Sequence, residues 1–500
     1  MRIGISKSRY TLFRQCPKAL WLKMYKPELC LISDALQQRF QSGSIVGDLA
    51  RGLFGKFTDV TSYYEDGKLD LTQMVANTRN CMESGTEVIC EAAFLFDGSY
   101  CAVDILKKEG AGYAIYEVKS STDGDKEVFA QDVAFQKYIL THSGVDITGT
   151  YLVCINSDYV LNGEIDIHKL FLIQDISEAV AREYQFVESQ IAKAKQMLAQ
   201  KDVEPNEGLD VHCHKPYDCA SWEYCSRHLP EKSVFDLYRM NFDKKIAYYR
   251  QNKITFEQLE CEALNEKQQT QIHCTLNNTI YINKVEIANF LSTLTYPLYF
   301  LDFETIQPVI PVFQGTRPYQ QIPFQYSLHY IELEGGVLKH KEFLGESGED
   351  PRRTLAEQLC ADIPLDVCTT AYNKAFECTR LTELAEAFPD LAEHLLNIRD
   401  HIIDLLVPFQ SGWYYVPAMG GSFSIKSVLP ALFPNDPELD YHNLAGSVHN
   451  GSEAMSVFPK IKDMSTEEQV AARQSLLKYC ELDTFAMVKV WQKLKDVAET

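Results

Sequence analysis

Residues 296–305 read YPLYFLDFET: Tyr296, Pro297, Leu298, Tyr299, Phe300, Leu301, Asp302, Phe303, Glu304, Thr305. An apolar run of this length, rich in aromatic residues and with its proline at the entry where a missing donor costs least, predicts a β-strand. Side chains alternate along a strand, so Asp302 and Glu304 share one face. Burying two carboxylates side by side is unfavourable through repulsion and desolvation unless a cation joins them. A divalent metal is the natural remedy.

Two other segments extend the set. In LLKYCELDTFAMVKVW (476–491), Tyr479 and Asp483 are four apart and share a helix face, while Leu477, Phe485, Val488 and Trp491 supply packing. In AYNKAFECTRL (371–381), Glu377 offers another carboxylate. Together the three segments resemble the DEDD exonucleases of the ribonuclease-H-like fold: D-x-E on the first strand, N-x-x-F-D in the middle, and Y-x-x-x-D on a late helix. Glu377 stands where that family commonly has Asp, one methylene shorter. The resemblance implies two-metal phosphodiester hydrolysis, with Asp302, Glu304, Glu377 and Asp483 as Mg²⁺ or Mn²⁺ ligands and Tyr479 orienting the water or the scissile phosphate. Asp404, in HIIDLLVPF (401–409), reads as a strand-edge or capping residue. Gly420, Gly421 and Lys426, in MGGSFSIKSVLPALFP (419–434), fit a phosphate cradle or a plain turn before a Ser-capped helix. Trp413, Tyr414 and Tyr415 read as core.

The first half of the chain carries a second constellation. Asp104 interrupts the apolar strand YCAVDIL (100–106), and IYEVKS (115–120) sets Glu117 and Lys119 two apart on one face. Two carboxylates and a lysine suit metal-assisted attack on a phosphodiester. Glu-x-Lys alone reads better as a strand-borne ion pair, since the tripeptide is frequent in any protein. In its order this region resembles the RecB-like PD-(D/E)XK nucleases: a helix with an acidic residue, then Asp, then E-x-K, then a helix bearing Gln. The resemblance implies Asp104, Glu117, Lys119 and Gln136 (in DVAFQKYIL, 132–140) as catalytic, and Asp48 (in GSIVGDLAR, 43–51) as a metal ligand where many relatives carry His.

Cysteines point the same way. Cys16 lies in FRQCPKALWL (13–22), and Cys213, Cys219 and Cys225 lie in CHKPYDCASWEYC (213–225), with five residues between successive members. Grouped thiolates select Fe–S clusters or zinc, and these gaps do not match the usual zinc pairs, although His212, His214 and His228 keep zinc open. One cysteine before the nuclease core and three after it resemble RecB-like nucleases clipped by a [4Fe–4S] cluster. Other cysteines, such as Cys101 and Cys154, read as small core residues.

The 500 residues, 46% hydrophobic and 23% charged, suit two to four domains. The pattern predicts an α/β chain: a PD-(D/E)XK-like domain over 1–230, a mostly helical connector over 231–290, and a ribonuclease-H-like domain over 291–500. A net charge of −21 opposes binding to a phosphate backbone, yet residues 1–60 hold ten basic against four acidic side chains. No signal-peptide pattern, 18-residue apolar run or phosphate loop of the form GxxxxGK[ST] occurs, so the sequence reads as a cytoplasmic protein without a membrane or ATP-motor role. The expected partner is nucleic acid, DNA favoured over RNA. Two alternatives stay open: only the C-terminal module cuts and the N-terminal one is a cluster-bearing clamp, or the chain is a non-enzymatic acidic interaction protein.

Overall fold

The computed structural model describes residues 4–31, 34–122 and 126–499; of the basic residues counted above, Arg2 and the side chain of Arg39 lie outside that description. The chain is mixed α/β and divides into two compact units: Met1–His228 with Val309–Tyr319, and Leu229–Pro308 with Gln320–Thr500. Residues 231–290, expected as a connector, thus belong to the second unit, and the segment after the YPLYFLDFET strand belongs to the first. Among the described residues no helix is long and apolar enough to cross a membrane.

The first unit runs α1 (Lys7–Gln15), α2 (Pro17–Tyr25), α3 (Asp34–Ala50), β1 (Thr58–Asp59), α4 (Leu71–Glu83), β2 (Val88–Phe96), β3 (Ser99–Glu109), β4 (Gly112–Val118), α5 (Lys126–His142), β5 (Ile147–Ile155), α6 (Ile167–Leu170), β6 (Phe171–Asp175), α7 (Ser177–Ala199) and α8 (Trp222–Ser226). Helices α1 and α2 are broken at Cys16 because Pro17 cannot donate to the preceding turn. Its six strands lie in chain order, with β1–β2 and β4–β5 parallel and the other pairs antiparallel. One face packs on α1, α5 and α7 through Tyr10, Phe135 and Val187; the other buries Val88, Ile105 and Val153 with Val309 and Ile310.

The second unit contains α9 (Phe242–Arg250), α10 (Phe256–Leu259), α11 (Glu266–Asn277), β7 (Tyr281–Ile282), α12 (Lys284–Leu291), β8 (Leu298–Ile306), β9 (Ile322–Ile331), β10 (Lys339–Leu344), α13 (Arg352–Asp362), β11 (Cys368–Ala371), α14 (Ala375–Ala387), α15 (Ala392–Asp400), β12 (Ile402–Asp404), α16 (Val407–Gln410), β13 (Tyr414–Tyr415), α17 (Ile425–Leu432), α18 (Gly451–Val457) and α19 (Thr466–Glu499). Its main sheet has the order β10-β9-β8-β11-β12; β8 is antiparallel to β9 and parallel to β11. Alternation along β8 does what the sequence requires. Tyr299, Leu301 and Phe303 pack against α13 and α14, and Leu298 and Phe300 join the core that contains Trp491 and Leu494 of α19. Asp302 and Glu304 follow on the α19 side. Helices α14 and α15 are separated at Pro389. Tyr414 and Tyr415 are buried core residues, as their aromatic run suggests.

Candidate metal-binding and catalytic site

In the second unit, carboxylate oxygens of Asp302, Glu304 and Asp483 lie within 4.8 Å of one another. Strand β8 supplies the first two from one face and α19 supplies the third, one turn after Tyr479. Glu377, in the first turn of α14, is buried, and its Oε2 has no hydrogen-bond partner. Among the described residues none of these four carboxylates forms an ion pair with Lys or Arg. Burial, followed by mutual repulsion with Asp483, Glu377 and Glu304, holds Asp302 well above the usual carboxylate range. Burial and Asp483 do the same to Glu304. Burial and the nearby Asp404 charge push Glu377 up to about 8, and burial pushes Asp483 up to about 6. Such a set is costly to ionise and suits hard divalent cations, whose charge offsets the repulsion.

Two residues the sequence reading did not single out, Tyr441 and Gly451, join Tyr479 and Lys426 around the carboxylates. The Tyr441 hydroxyl donates to Asp483 Oδ1 at 2.6 Å. Gly451 opens α18 over the site, where a Cβ would stand 3.7 Å from Glu304 Oε2 and 4.0 Å from the Tyr479 hydroxyl. Burial and the surrounding carboxylates raise Tyr479 far above an ordinary phenol, so it stays a proton donor. The Lys426 ammonium lies 5.8 Å from the ring centres of both Tyr441 and Tyr479, and its charge reaches Glu304 and Asp483. A cavity of about 840 Å³ adjoins this corner, lined in part by Lys426, Tyr441, His442, His449 and Asn450.

The neighbouring candidates sort clearly. Asp404 accepts from the backbone amides of Asn373, Lys374 and Leu406, so it caps the turn into α14. Gly421, at φ +78°, fits a close turn: a Cβ would stand 2.4 Å from Asp236 O and from Gln271 Nε2. Ser424 precedes α17 without a side-chain capping bond.

In the first unit, Glu117 on β4 is 1% exposed. Its Oε1 accepts from Lys119 at 2.8 Å and from Lys7 at 2.7 Å, and its Oε2 from Gln136 at 2.7 Å. Lys119 also donates to Asp132 at 2.7 Å. Burial alone would raise Glu117, but Lys119 and Lys7 outweigh it and bring the carboxyl down to about 2. Asp104 Oδ2 accepts from Val118 N at 2.7 Å, and burial plus the Glu117 charge push this carboxyl up to about 7. Glu91, at φ +56° where the β2–β3 pairing is interrupted, adds its charge to Asp104. The structure therefore gathers Asp104, Glu117, Lys119 and Gln136 into one site, and adds Lys7, Asp132 and Glu91. Asp48 is exposed and lies 3.3 Å from Arg51, its ion-pair partner.

Cys16, Cys213, Cys219 and Cys225 lie in the same unit within electrostatic range of one another, although no three of their sulfurs lie within 4.8 Å of one another. Cys16 feels the charge of Cys219 and Cys213; Cys213 feels Cys219 and Cys225; Cys225 feels Cys219. The Gln15 amide ties the segments together by donating to His212 O at 2.8 Å and Tyr217 O at 2.6 Å. Cys30, not anticipated, reaches Ser221 Oγ at 3.2 Å and adds its charge to Cys219. Burial pushes Cys16 and Cys213 up to about 11, so the bare thiols hold their protons and a soft metal would be needed to draw out thiolates. Cys101 and Cys154 are core residues.

A family described as a domain of unknown function (DUF2779) matches residues 299–424, which include Asp302, Glu304 and Glu377 and end before Lys426, Tyr479 and Asp483. The chain is 28% identical over 254 residues to the uncharacterized protein UU173 of Ureaplasma parvum, covering 46% of this chain and 36% of that protein. It is 22% identical over 297 residues to the uncharacterized protein MG366 of Mycoplasma genitalium, covering 51% and 42% respectively. The match thus spans less than half the length of these curated relatives. No solved structure matches the chain.

Proposed function

We propose that the protein is a two-module nuclease, dependent on Mg²⁺ or Mn²⁺, that hydrolyses phosphodiester bonds at single-stranded nucleic-acid ends, DNA preferred. On this reading the second unit is a DEDD-type, ribonuclease-H-like module and the first a RecB-like PD-(D/E)XK module. The observation that carries it is the cluster of Asp302, Glu304 and Asp483, with Asp302 half-buried and the other two buried, beside the buried Glu377; none of the four has an ion-paired cation among the described residues. A D-x-E strand central in a five-stranded sheet, with the Y-x-x-x-D helix against it, supports the DEDD reading.

Asp302, Glu304 and Asp483, with Glu377, would hold the metal. When bound, it would supply a Lewis acid that lowers the pKa of a water and offsets charge on the phosphate. Tyr479, kept protonated, donates from its hydroxyl to the attacking water or to a phosphate oxygen. Tyr441 fixes the orientation of Asp483 through Oδ1, and Lys426 offers its charge to the phosphate. In the first unit, Asp104 and Glu117 would bind the ion and Lys119 would face the developing charge. Cys16, Cys213, Cys219 and Cys225 would hold the [4Fe–4S] cluster, whose role there is to join two distant segments of chain. A visible absorption band with bound iron supports this assignment; zinc without colour overturns it.

The purified protein with Mn²⁺ should shorten end-labelled single-stranded DNA, and Asp302→Ala should lower the rate by about 100-fold or more, as loss of a metal-anchored step does. Failure to shorten DNA or RNA, or an Asp302→Ala protein as active as the parent, rejects the proposal. One feature favours a narrower version in which only the second unit cuts. Both oxygens of Glu117 are already engaged by Lys7, Lys119 and Gln136, so its charge is balanced without a metal. Comparing Glu117→Ala with Asp302→Ala decides: equal losses exclude the narrower version, and an unaffected Glu117→Ala protein excludes the two-centre one.

A further inference from the structure

A second group of metal-ligating side chains lies outside the carboxylate site. His329 on β9 and His340 on β10 are directly paired across the strands, with ring centroids 4.5 Å apart. One ring nitrogen of each and a carboxylate oxygen of Glu481 on α19 all lie within 4.8 Å of one another. His329 is 5% exposed, whereas Glu481 sits at the surface with its side chain 50% exposed.

Only one placement of protons satisfies all four hydrogen bonds behind this group at once. The Thr484 hydroxyl donates to the Glu481 carbonyl oxygen at 3.1 Å, an atom that only accepts, so its single proton is committed. Thr484 Oγ1 must then accept from its two other partners, the Ser327 hydroxyl at 2.7 Å and His329 Nδ1 at 2.8 Å. With the Ser327 proton committed in turn, its 2.9 Å contact to His340 Nε2 requires the ring N–H as donor. Both imidazoles thus hold a proton on the nitrogen that faces the hydroxyls. Their other nitrogens, His329 Nε2 and His340 Nδ1, are left with lone pairs, and His340 Nδ1 lies 4.0 Å from Glu481 Oε1. Burial, with the charge of His340, pulls His329 down to about 4, which keeps it a neutral donor near neutral pH.

We propose that His329 Nε2, His340 Nδ1 and a Glu481 carboxylate oxygen bind a divalent transition-metal ion of the zinc class, at a site distinct from Asp302, Glu304 and Asp483. Two imidazoles and one carboxylate suit zinc and disfavour Mg²⁺, which takes oxygen ligands. Ser327 and Thr484 play the orienting part that outer hydrogen-bond partners play around bound metals. Three protein ligands leave a further position for water or for Glu342 on β10, which pairs with Ser327 of β9 and whose charge interacts with His340 and Glu481. The ion would bridge β9, β10 and α19, and so hold in place the helix that presents Tyr479 and Asp483.

The test uses the full-length protein in excess Mg²⁺, with bound zinc measured by metal analysis after dialysis and affinity by titration with Zn²⁺. Wild type should retain one more equivalent of zinc than Glu481→Gln or His340→Asn, and Thr484→Val should weaken that equivalent by about 10- to 100-fold. Glu481 is exposed, so its substitution leaves the core intact and keeps the test valid if the His340 variant folds poorly. Any zinc held by cysteines is common to all variants and cancels. Equal stoichiometry and affinity in wild type and Glu481→Gln overturn the proposal. So does loss of this zinc in Asp302→Ala with retention in Glu481→Gln, which would place the ion on the carboxylates.

Discussion

An ionised Glu377 leaves its Oε2 charged where no donor reaches it, and the pH dependence of stability follows from that single side chain. Its carboxyl is ordinary, near 4.5, in the unfolded chain and about 8 in the folded one. Between those values the folded state keeps a proton that the unfolded state has released, so stability falls as pH rises and the loss is complete above about 8. In metal-free buffer, Glu377→Gln should therefore melt progressively higher than wild type from pH 5 to 8, by on the order of a few kcal/mol at the top of that window. Added Mg²⁺ should then rescue wild type more than the variant. A gap that does not change with pH would mean that Glu377 is not held protonated. Single residues also show what the sequence makes legible. Asp302 and Glu304 follow from strand alternation and Asp483 from helix spacing, whereas Lys7 reaches Glu117 across 110 positions and Tyr441 reaches Asp483 across 42. No local periodicity encodes such meetings.

At the level of elements, a hydroxyl of α19 holds the loop that leads into α18. Ser475 Oγ accepts from the amides of Ser447 and Val448, each at 3.0 Å, and a Cβ on Gly446 would stand 2.4 Å from it. This stretch connects Tyr441, which touches Asp483, to Gly451, which lies over Glu304. Ser475→Ala should cost about 1–3 kcal/mol, because it strands two amides of which at least Val448 is buried. If the proposed function holds, the rate of phosphodiester hydrolysis should fall with it while Mg²⁺ affinity changes less, since Asp302 and Glu304 stay in place on β8. A melting temperature equal to wild type would show that the loop is held by other contacts. The long elements β2, β3, β8, β9, α7 and α19 announce themselves by apolar pattern. Strand β10 does not: KHKEFL is an edge strand whose lysines and histidine break the alternation while protecting the exposed edge. Pro17 and Pro389 separate α1 from α2 and α14 from α15.

For the whole molecule, the division into units is the part least visible in composition. Val309 and Ile310 are buried in the core that holds Val88, Ile105 and Val153, and Gln314 and Gly163 exchange hydrogen bonds at 2.7 and 2.9 Å. Leu161 N also donates to Thr316 O at 3.0 Å. Sequence reading places a boundary near 230 because the Cys-rich segment ends there and a mostly helical stretch begins, and nothing in an eleven-residue segment signals that it completes another unit. A fragment of residues 1–228 should therefore be less stable than the same fragment fused through a flexible linker to 309–319. The difference should be about 3–5 kcal/mol, from burial of one Val and one Ile. Equal denaturation midpoints would show that the segment contributes no stability.

That segment also sets a timetable for biosynthesis. The ribosome releases the polypeptide from its amino end, and the first unit's own sequence through His228 is available well before Val309–Tyr319 has been polymerised. About ninety codons separate the two, on the order of 5–20 s of translation at usual bacterial rates. Throughout that interval the nascent first unit presents the apolar seat for Val309 and Ile310 uncovered, a surface on which a ribosome-associated chaperone would find its client.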